Sequence, residues 1–544
     1  MSTRIRSLVL IAMLCVVLPA TAQPDPLVEA AAGKLRGEAI GPLNVFKGIP
    51  YALPPVGNLR WRPPVAVSPW TGVRDATRFG AACTQPELRP SLYSEELAAV
   101  SEDCLLLNVW APQGARNKPV LVWIHGGALT SGSSSERLYD GAKLAARGVV
   151  VVSINYRLGV LGYLAHPQLS AESPQRISGN YGLLDQIEAL RWVQRNIAAF
   201  GGDPAKVTIA GESAGALSVM YLMASPPARG LFARAIAQSA YMISMPELKR
   251  ARFGEQAAET IGSRLATAIG SPSIVDLRSM DAAKLADAAA QTGYFPLGTV
   301  DGQVLPRQLV EIFDRHEQAN VPILAGFNSG EIRSLRFLAP PVPTDAASYE
   351  ATIRKRYADL AEAFLKLYPS SHLEESVLAT TRDALYGWTS ERLVAKQTAQ
   401  GHPSYLYFFD HGYPAADEAG LHAFHASELP YVFGTADRTP PRWPQVPDSP
   451  QEAALSDALI GYWTSFAIAG EPKAPDRPSW PAYGTTRAYM LFADSPRPGT
   501  HLLPGMYELN EQVVCRRRAK GGLPWNWNAG LAAPTLPTRE DVCR

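Results

Sequence analysis

Five short runs of β-branched and aromatic residues, at 120–124, 149–154, 207–210, 323–325 and 405–409, are separated by longer stretches of helical character. Such runs read as strands buried on both faces. Strands that alternate with helices are joined by crossovers, and crossovers build parallel sheets. Between the second and third runs Leu183, Ile187, Leu190, Val193 and Ile197 recur every three or four residues, which places one apolar stripe on a helix that packs on the sheet. The expected fold is α/β, a mostly parallel central sheet with helices on both faces. Residues 246–319 and 347–399 are rich in Ala, Leu and charge at helical spacing and read as helical insertions over it. No Gly/Ser linker or internal repeat divides the chain, so residues 23–544 are expected to form a single domain.

The first 22 residues read as a signal peptide. Arg4 and Arg6 precede an apolar run at 8–18, and Ala20-Thr21-Ala22 has the small-x-small form of a cleavage site. The run is too short to span a bilayer and Pro19 follows it. The mature chain is expected to begin near Gln23 and to be periplasmic or secreted. Cys15 leaves with this peptide and lacks the small residues of a lipoprotein site before it, so no membrane anchor is expected. The later apolar stretch at 149–164 is broken by Asn155, Tyr156 and Arg157. Four cysteines then remain, an even number in an exported chain and hence two expected disulfides. Of the three possible pairings, proximity favours Cys83–Cys104 and Cys515–Cys543, against the alternative of free buried thiols.

The 51 basic and 50 acidic residues leave a formal charge of +1, so no long-range field draws phosphate backbones or anionic lipid, and nucleic acid is not expected as a partner. No Cys/His spacing suits a metal, and no cofactor is implied. The tail from Arg516 is basic, carries Trp525 and Trp527, and reads as a disulfide-tied surface wrap.

Chemistry is carried by Gly211-Glu212-Ser213-Ala214-Gly215, which follows the run at 207–210 and precedes a helical stretch through Leu217, Tyr221 and Leu222. The pentapeptide alone is a weak signal. At a strand-to-helix turn, however, its glycines permit close backbone approach and hold the serine in an exposed elbow at a helix N-terminus, where developing negative charge is favoured. After the run at 120–124 comes His125-Gly126-Gly127-Ala128, a glycine loop placed to donate amides to an oxyanion.

With both motifs in view, the chain resembles the type-B carboxylesterase/lipase family, which contains the cholinesterases. The blocks that carry the resemblance are Glu102-Asp103-Cys104-Leu105-Leu106-Leu107-Asn108-Val109, and Phe200-Gly201-Gly202-Asp203-Pro204 followed by the serine pentapeptide. The resemblance implies an α/β-hydrolase fold, a Cys83–Cys104 disulfide, and hydrolysis of a small-molecule carboxylic ester by Ser213. It implies Glu331 as triad acid, because Gly326-Phe327-Asn328-Ser329-Gly330-Glu331 has the form of the family's acid block, with Ile332 in place of its last glycine. It implies His425 rather than His422 as base, because His425-Ala426-Ser427-Glu428-Leu429-Pro430-Tyr431-Val432-Phe433-Gly434 is similar to the family's histidine block. The oxyanion hole falls to the amides of Gly127, Ala128 and Ala214; Ala128 stands where many relatives carry a third glycine, which keeps the donor and adds a methyl.

His425 is then expected to take the Ser213 proton, Glu331 to orient the imidazole, and activity to fall as pH drops through the histidine titration, ordinarily near 6.5. Arg333 and Arg336 offer a partner to a substrate carboxylate, against the commoner solvated-surface reading. Two other functions fit the same residues. A cholinesterase-like adhesion protein typically lacks part of the triad, all of which is present here. An amidase or acyltransferase uses the same nucleophile with another leaving group or acceptor.

Overall fold

The computed structural model describes residues 25–87, 90–526 and 529–543. The proposed signal peptide, Cys15 and Trp527 lie outside the described residues. The main sheet has 11 strands. In chain order they are β1 (Glu38–Ile40), β2 (Leu43–Pro50), β3 (Leu106–Pro112), β4 (Lys118–Ile124), β5 (Val150–Ile154), β6 (Gly202–Glu212), β7 (Arg234–Gln238), β8 (Ile323–Asn328), β9 (Ser404–Phe409), β10 (Ala488–Phe492) and β11 (Pro496–Thr500). Their order across the sheet is β11-β10-β9-β8-β7-β6-β4-β5-β3-β2-β1. Strands β4 to β10 are parallel to one another, and β3 and β11 join antiparallel at either side. All five runs read from the sequence are strands of this parallel block.

Alternate residues of a strand face opposite sides of the sheet, and both sides are buried here. Val120, Val122 and Ile124 of β4 enter a core with Leu183, Ile187, Leu190 and Val193 of α1 (Tyr181–Asn196), with Leu217 and Val219 of α2 (Ala214–Ala224), and with Trp388 and Leu393 of α3 (Trp388–Ala399). Leu121 and Trp123 enter a second core, opposite, with Leu459, Trp463 and Phe466 of α4 (Pro450–Ala469). Burying each such side chain is worth about 1.5–3 kcal/mol. The start of α4 is written locally: the Ser449 hydroxyl accepts the Glu452 N–H at 3.3 Å and Pro450 takes the first helical position.

Two expectations are corrected. The helical stretch at 347–399 is not one insertion. Ala346–Tyr357, Ala361–Leu367 and Leu373–Arg382 share a separate apolar cluster with the C-terminal helix Met506–Lys520, whereas α3 packs directly on β8 and β9. The tail is more than a surface wrap: Trp525 is fully buried against Trp388, and Arg516 forks onto Asp359 at 2.6 and 2.7 Å. Both disulfides, Cys83–Cys104 and Cys515–Cys543, are present. No helix among the described residues is long and apolar enough to cross a membrane.

The polar break at 155–157 has a structural cause. Arg157 donates from Nε and Nη2 to the two carboxylate oxygens of Asp185 on α1, each at 2.7 Å, with both side chains buried. Tyr156 donates its hydroxyl to the His125 carbonyl at 2.9 Å and stacks on the His125 ring, so this segment supports the chain that leaves β4. Removing one partner of a buried pair strands the other charge. Arg157→Met is therefore expected to lower unfolding free energy by about 3–5 kcal/mol, and Arg157→Met with Asp185→Leu to regain most of it. Denaturant titration at pH 7 measures both, and a single variant as stable as the parent would show that the pair is not buried in solution.

Candidate active site

The parallel strands end side by side, and the residues singled out in the sequence follow those ends, where α/β sheets bind ligands. At the end of β6, Ser213 adopts φ 55° and ψ −121°, a conformation that costs an L-residue free energy and is held by its surroundings. Its N–H donates to the Gln238 carbonyl at the end of β7 at 2.9 Å, and its own carbonyl accepts the first bond of α2 from Leu217 N–H. Ser213 is partly exposed while Gly211, Glu212, Ala214 and Gly215 are buried. A Cβ on Gly215 would lie 2.1 Å from the Ile124 carbonyl oxygen, so this glycine is required for β4 and the elbow to meet.

After β4, Gly127 takes φ 95°, and Ala128 and Leu129 take 55° and 57°. Gly127 and Ala128 are exposed, and its reversed backbone brings the Ser131 carbonyl oxygen to 2.1 Å from where a Gly127 Cβ would be. The Gly127 carbonyl accepts the N–H groups of Thr130 and Ser131 at 2.9 and 3.0 Å, while the Gly159 N–H holds the Leu129 carbonyl at 2.7 Å. Among the described residues, no protein acceptor takes the N–H of Gly127, Ala128 or Ala214. His125 is buried, with Nδ1 2.9 Å from the Gly126 carbonyl, and burial lowers its pKa to about 4.

Glu331 begins a short helical turn after β8, with Ile332 buried in the core beside it. One Glu331 oxygen accepts the Asn328 N–H at 2.9 Å and the other accepts the Nδ1–H of His425. His425 lies between β9 and β10, and its Nε2 is 3.1 Å from Oε1 of Glu212, the residue before Ser213. The imidazole thus stands at the serine elbow. His422 instead pairs with Asp417 and Asp410 and is 40% exposed. Arg333 and Arg336 pair with Glu375 and Glu374, at 2.7 and 3.4 Å, on a neighbouring helix, which favours the surface reading for both. Among the described residues no group of His, Cys, Asp or Glu is arranged to hold a metal.

Four residues of the site went unassigned in the sequence. Glu212 is visible as the x of the pentapeptide, but only the folded chain brings its carboxyl to His425. Burial raises the Glu212 pKa, against the lowering effect of His425. Burial lowers that of His425, and the carboxylates of Glu212, Glu331 and Glu428 outweigh it, for a net upward shift. A neutral Glu212 no longer raises the imidazole, so the two titrate as a unit. Tyr93 donates to the Ser334 hydroxyl at 2.7 Å and to the His425 carbonyl at 3.1 Å. Tyr386, on a π-helical segment, has its ring 5.3 Å from that of His425. Glu428 accepts from Gln238 at 2.9 Å and Asn328 at 2.6 Å beneath the site.

Residues 24–503 match the model of the carboxylesterase family. The chain is 36% identical over 498 residues to fumonisin B1 esterase of Sphingopyxis macrogoltabida, covering 87% of this chain and 88% of that one. It is 38% identical over 488 residues to para-nitrobenzyl esterase of Bacillus subtilis, covering 86% and 95%. A solved PNB esterase structure matches with a TM-score of 0.78 at 33% identity, over 89% of this chain and 99% of that one. A carboxylesterase structure from Geobacillus stearothermophilus matches at 0.70 and 34% identity, over 89% and 99%. With its α/β-hydrolase fold and esterase relatives along most of its length, the protein is a carboxylic ester hydrolase and belongs to the carboxylesterase family.

Proposed function

We propose that ester cleavage runs through an acyl-enzyme on Ser213, with His425 as general base and acid, Glu331 as its orienting partner, and the amides of Gly127, Ala128 and Ala214 as the oxyanion hole. The observation that carries this reading is the His425 ring, whose Nδ1–H is taken by Glu331 while its Nε2 lies 3.1 Å from Oε1 of Glu212, the residue before Ser213. A serine hydroxyl is a weak nucleophile until a base takes its proton during attack. His425 is held in the tautomer that leaves Nε2 free to do so, because the carboxylate of Glu331 accepts only. The tetrahedral intermediate places charge on the former carbonyl oxygen, and each preorganised amide is worth about 3–4 kcal/mol at that point. The alcohol leaves with the proton from His425, and water activated at the same nitrogen releases the acid.

Two of the relatives are named for fumonisin B1 and para-nitrobenzyl esters, and a small organic ester is the substrate class proposed here. Export by the segment at 1–22, with residues 23–544 acting as one unit, is supported by the two disulfides, which persist in oxidising compartments.

Turnover of a short-chain nitrophenyl ester is expected in the parent and to fall about 10⁴-fold or more in Ser213→Ala, with unchanged circular dichroism. An active Ser213→Ala protein would exclude the acyl-enzyme on this residue. The pH profile gives a second test. Negative carboxylates stabilise imidazolium and raise its pKa, and imidazolium is no base, so the acidic limb of kcat/KM is expected above the ordinary histidine value of about 6.5. Glu212→Gln removes one of those charges and is expected to move the limb to lower pH. A limb that stays in place or moves upward would detach Glu212 from the titration of His425.

A further inference from the structure

After β7 the chain runs through 239–245 without regular secondary structure, and every one of these residues is buried. The stretch starts at the site, since Gln238 accepts the Ser213 N–H. It also borders the site, since Tyr241 packs edge-on to Tyr386, with ring centroids 6.1 Å apart, and Tyr386 lies on His425. A buried segment outside helix and sheet needs partners for its backbone polar groups from elsewhere. The Gly326 carbonyl takes the Ser239 N–H at 2.8 Å, and three side chains provide further partners. Gln308 donates to the Met245 carbonyl at 2.8 Å and accepts its N–H at 2.9 Å. Thr389 accepts the Met242 N–H at 2.9 Å, and Asn526 donates from Nδ2 to the Met242 carbonyl at 2.6 Å.

Asn526 belongs to the C-terminal tail, beyond residue 503 where the family match ends. The tail reaches this point by a fixed path. Cys515 is bonded to Cys543, the Gly521 carbonyl accepts the Phe253 N–H at 2.9 Å, and Trp525 is fully buried against Trp388. We propose that Asn526 is a positioning residue through which the C-terminal tail fixes residues 239–245 as a wall of the ester pocket, so that the tail sets the size of ester accepted. The proposal rests on Ser213 and His425 marking the reaction centre. A wall held at Met242 from both sides yields little to a bulky chain; released on one side it moves, and chain-length preference moves with it.

The test compares the parent with Asn526→Ala and Thr389→Val on nitrophenyl esters from acetate to decanoate. Hydrogen exchange of peptides spanning 239–245 and thermal unfolding are recorded in parallel. The expected result is faster exchange in that segment and a change of about tenfold in the decanoate-to-acetate ratio of kcat/KM, in the same direction for both variants. An equal loss on every chain length, an unchanged ratio, or unchanged exchange would each overturn the proposal. Thr389→Val leaves the tail intact and carries the same expectation if Asn526→Ala does not fold. A parent that hydrolyses no ester in the series would count against the Ser213 reading instead, while the exchange comparison still tests the hold on Met242.

Discussion

The Ile124 carbonyl oxygen and the Gly215 Cα occupy adjacent space that leaves no room for a methyl group. That contact brings the end of β4 against the turn between β6 and α2, and the rest of the site takes its position from it. The Gly127–Leu129 loop begins three residues after Ile124, and Ser213 lies two residues before Gly215. A shift between the two strands would therefore move the free amides and the serine hydroxyl apart. Parallel pairing of Val120–Ile124 with Val207–Gly211 excludes such a shift, because a one-residue slip would exchange which side chains enter which core.

Above this frame lies a layer of buried carboxyls that the fold keeps at a cost. Glu212, Glu331 and Glu428 are all inaccessible to solvent or nearly so. Buried carboxyls persist only when paired or hydrogen-bonded. Glu428 is satisfied by Gln238 and Asn328, and the Gln238 side-chain oxygen in turn accepts the indole N–H of Trp463 at 2.9 Å. Glu331 is satisfied by Asn328 N–H and His425. Asn328 thus serves both carboxyls, one through its backbone and one through its side chain, and it also donates to the Phe424 carbonyl at 2.9 Å, the residue before His425. The asparagine of the acid block is the joint that brings two loops, 97 positions apart at Asn328 and His425, into one polar network.

The parts of this arrangement legible in the sequence are those written in local pattern. Apolar runs mark β4, β5, β6, β8 and β9 because parallel strands are buried on both faces, and the stripe from Leu183 to Ile197 marks α1. Strand ends are less legible: β8 continues from Ala325 through Gly326 and Phe327 to Asn328, where a glycine and a polar residue whose backbone N–H is needed for Glu331 interrupt the apolar run. The helical spacing at 347–399 is real, but spacing does not say against what a helix packs, and only contact with β8 and β9 separates α3 from its neighbours. Ser213 is legible from its pentapeptide between a strand and a helix, whereas Glu331 and His425 are legible only through resemblance to family blocks. Tyr93, Tyr386 and Asn526 had no such block, and each matters through a partner more than 30 residues away in sequence.

Strain and support are distributed across the site in a related way. Ala128, Leu129 and Ser213 all hold backbone conformations with positive φ, each costing about 1–3 kcal/mol for an L-residue. Such conformations persist only where neighbouring structure over-determines them. For Leu129 the support is the Gly159 N–H on its carbonyl; for the loop as a whole it is Tyr156 beneath His125, held by the Arg157–Asp185 pair to α1. A buried ion pair of little net stabilising value to the fold as a whole can then be understood by what it holds in place, a strained loop whose exposed Gly127 and Ala128 amides have no protein acceptor among the described residues.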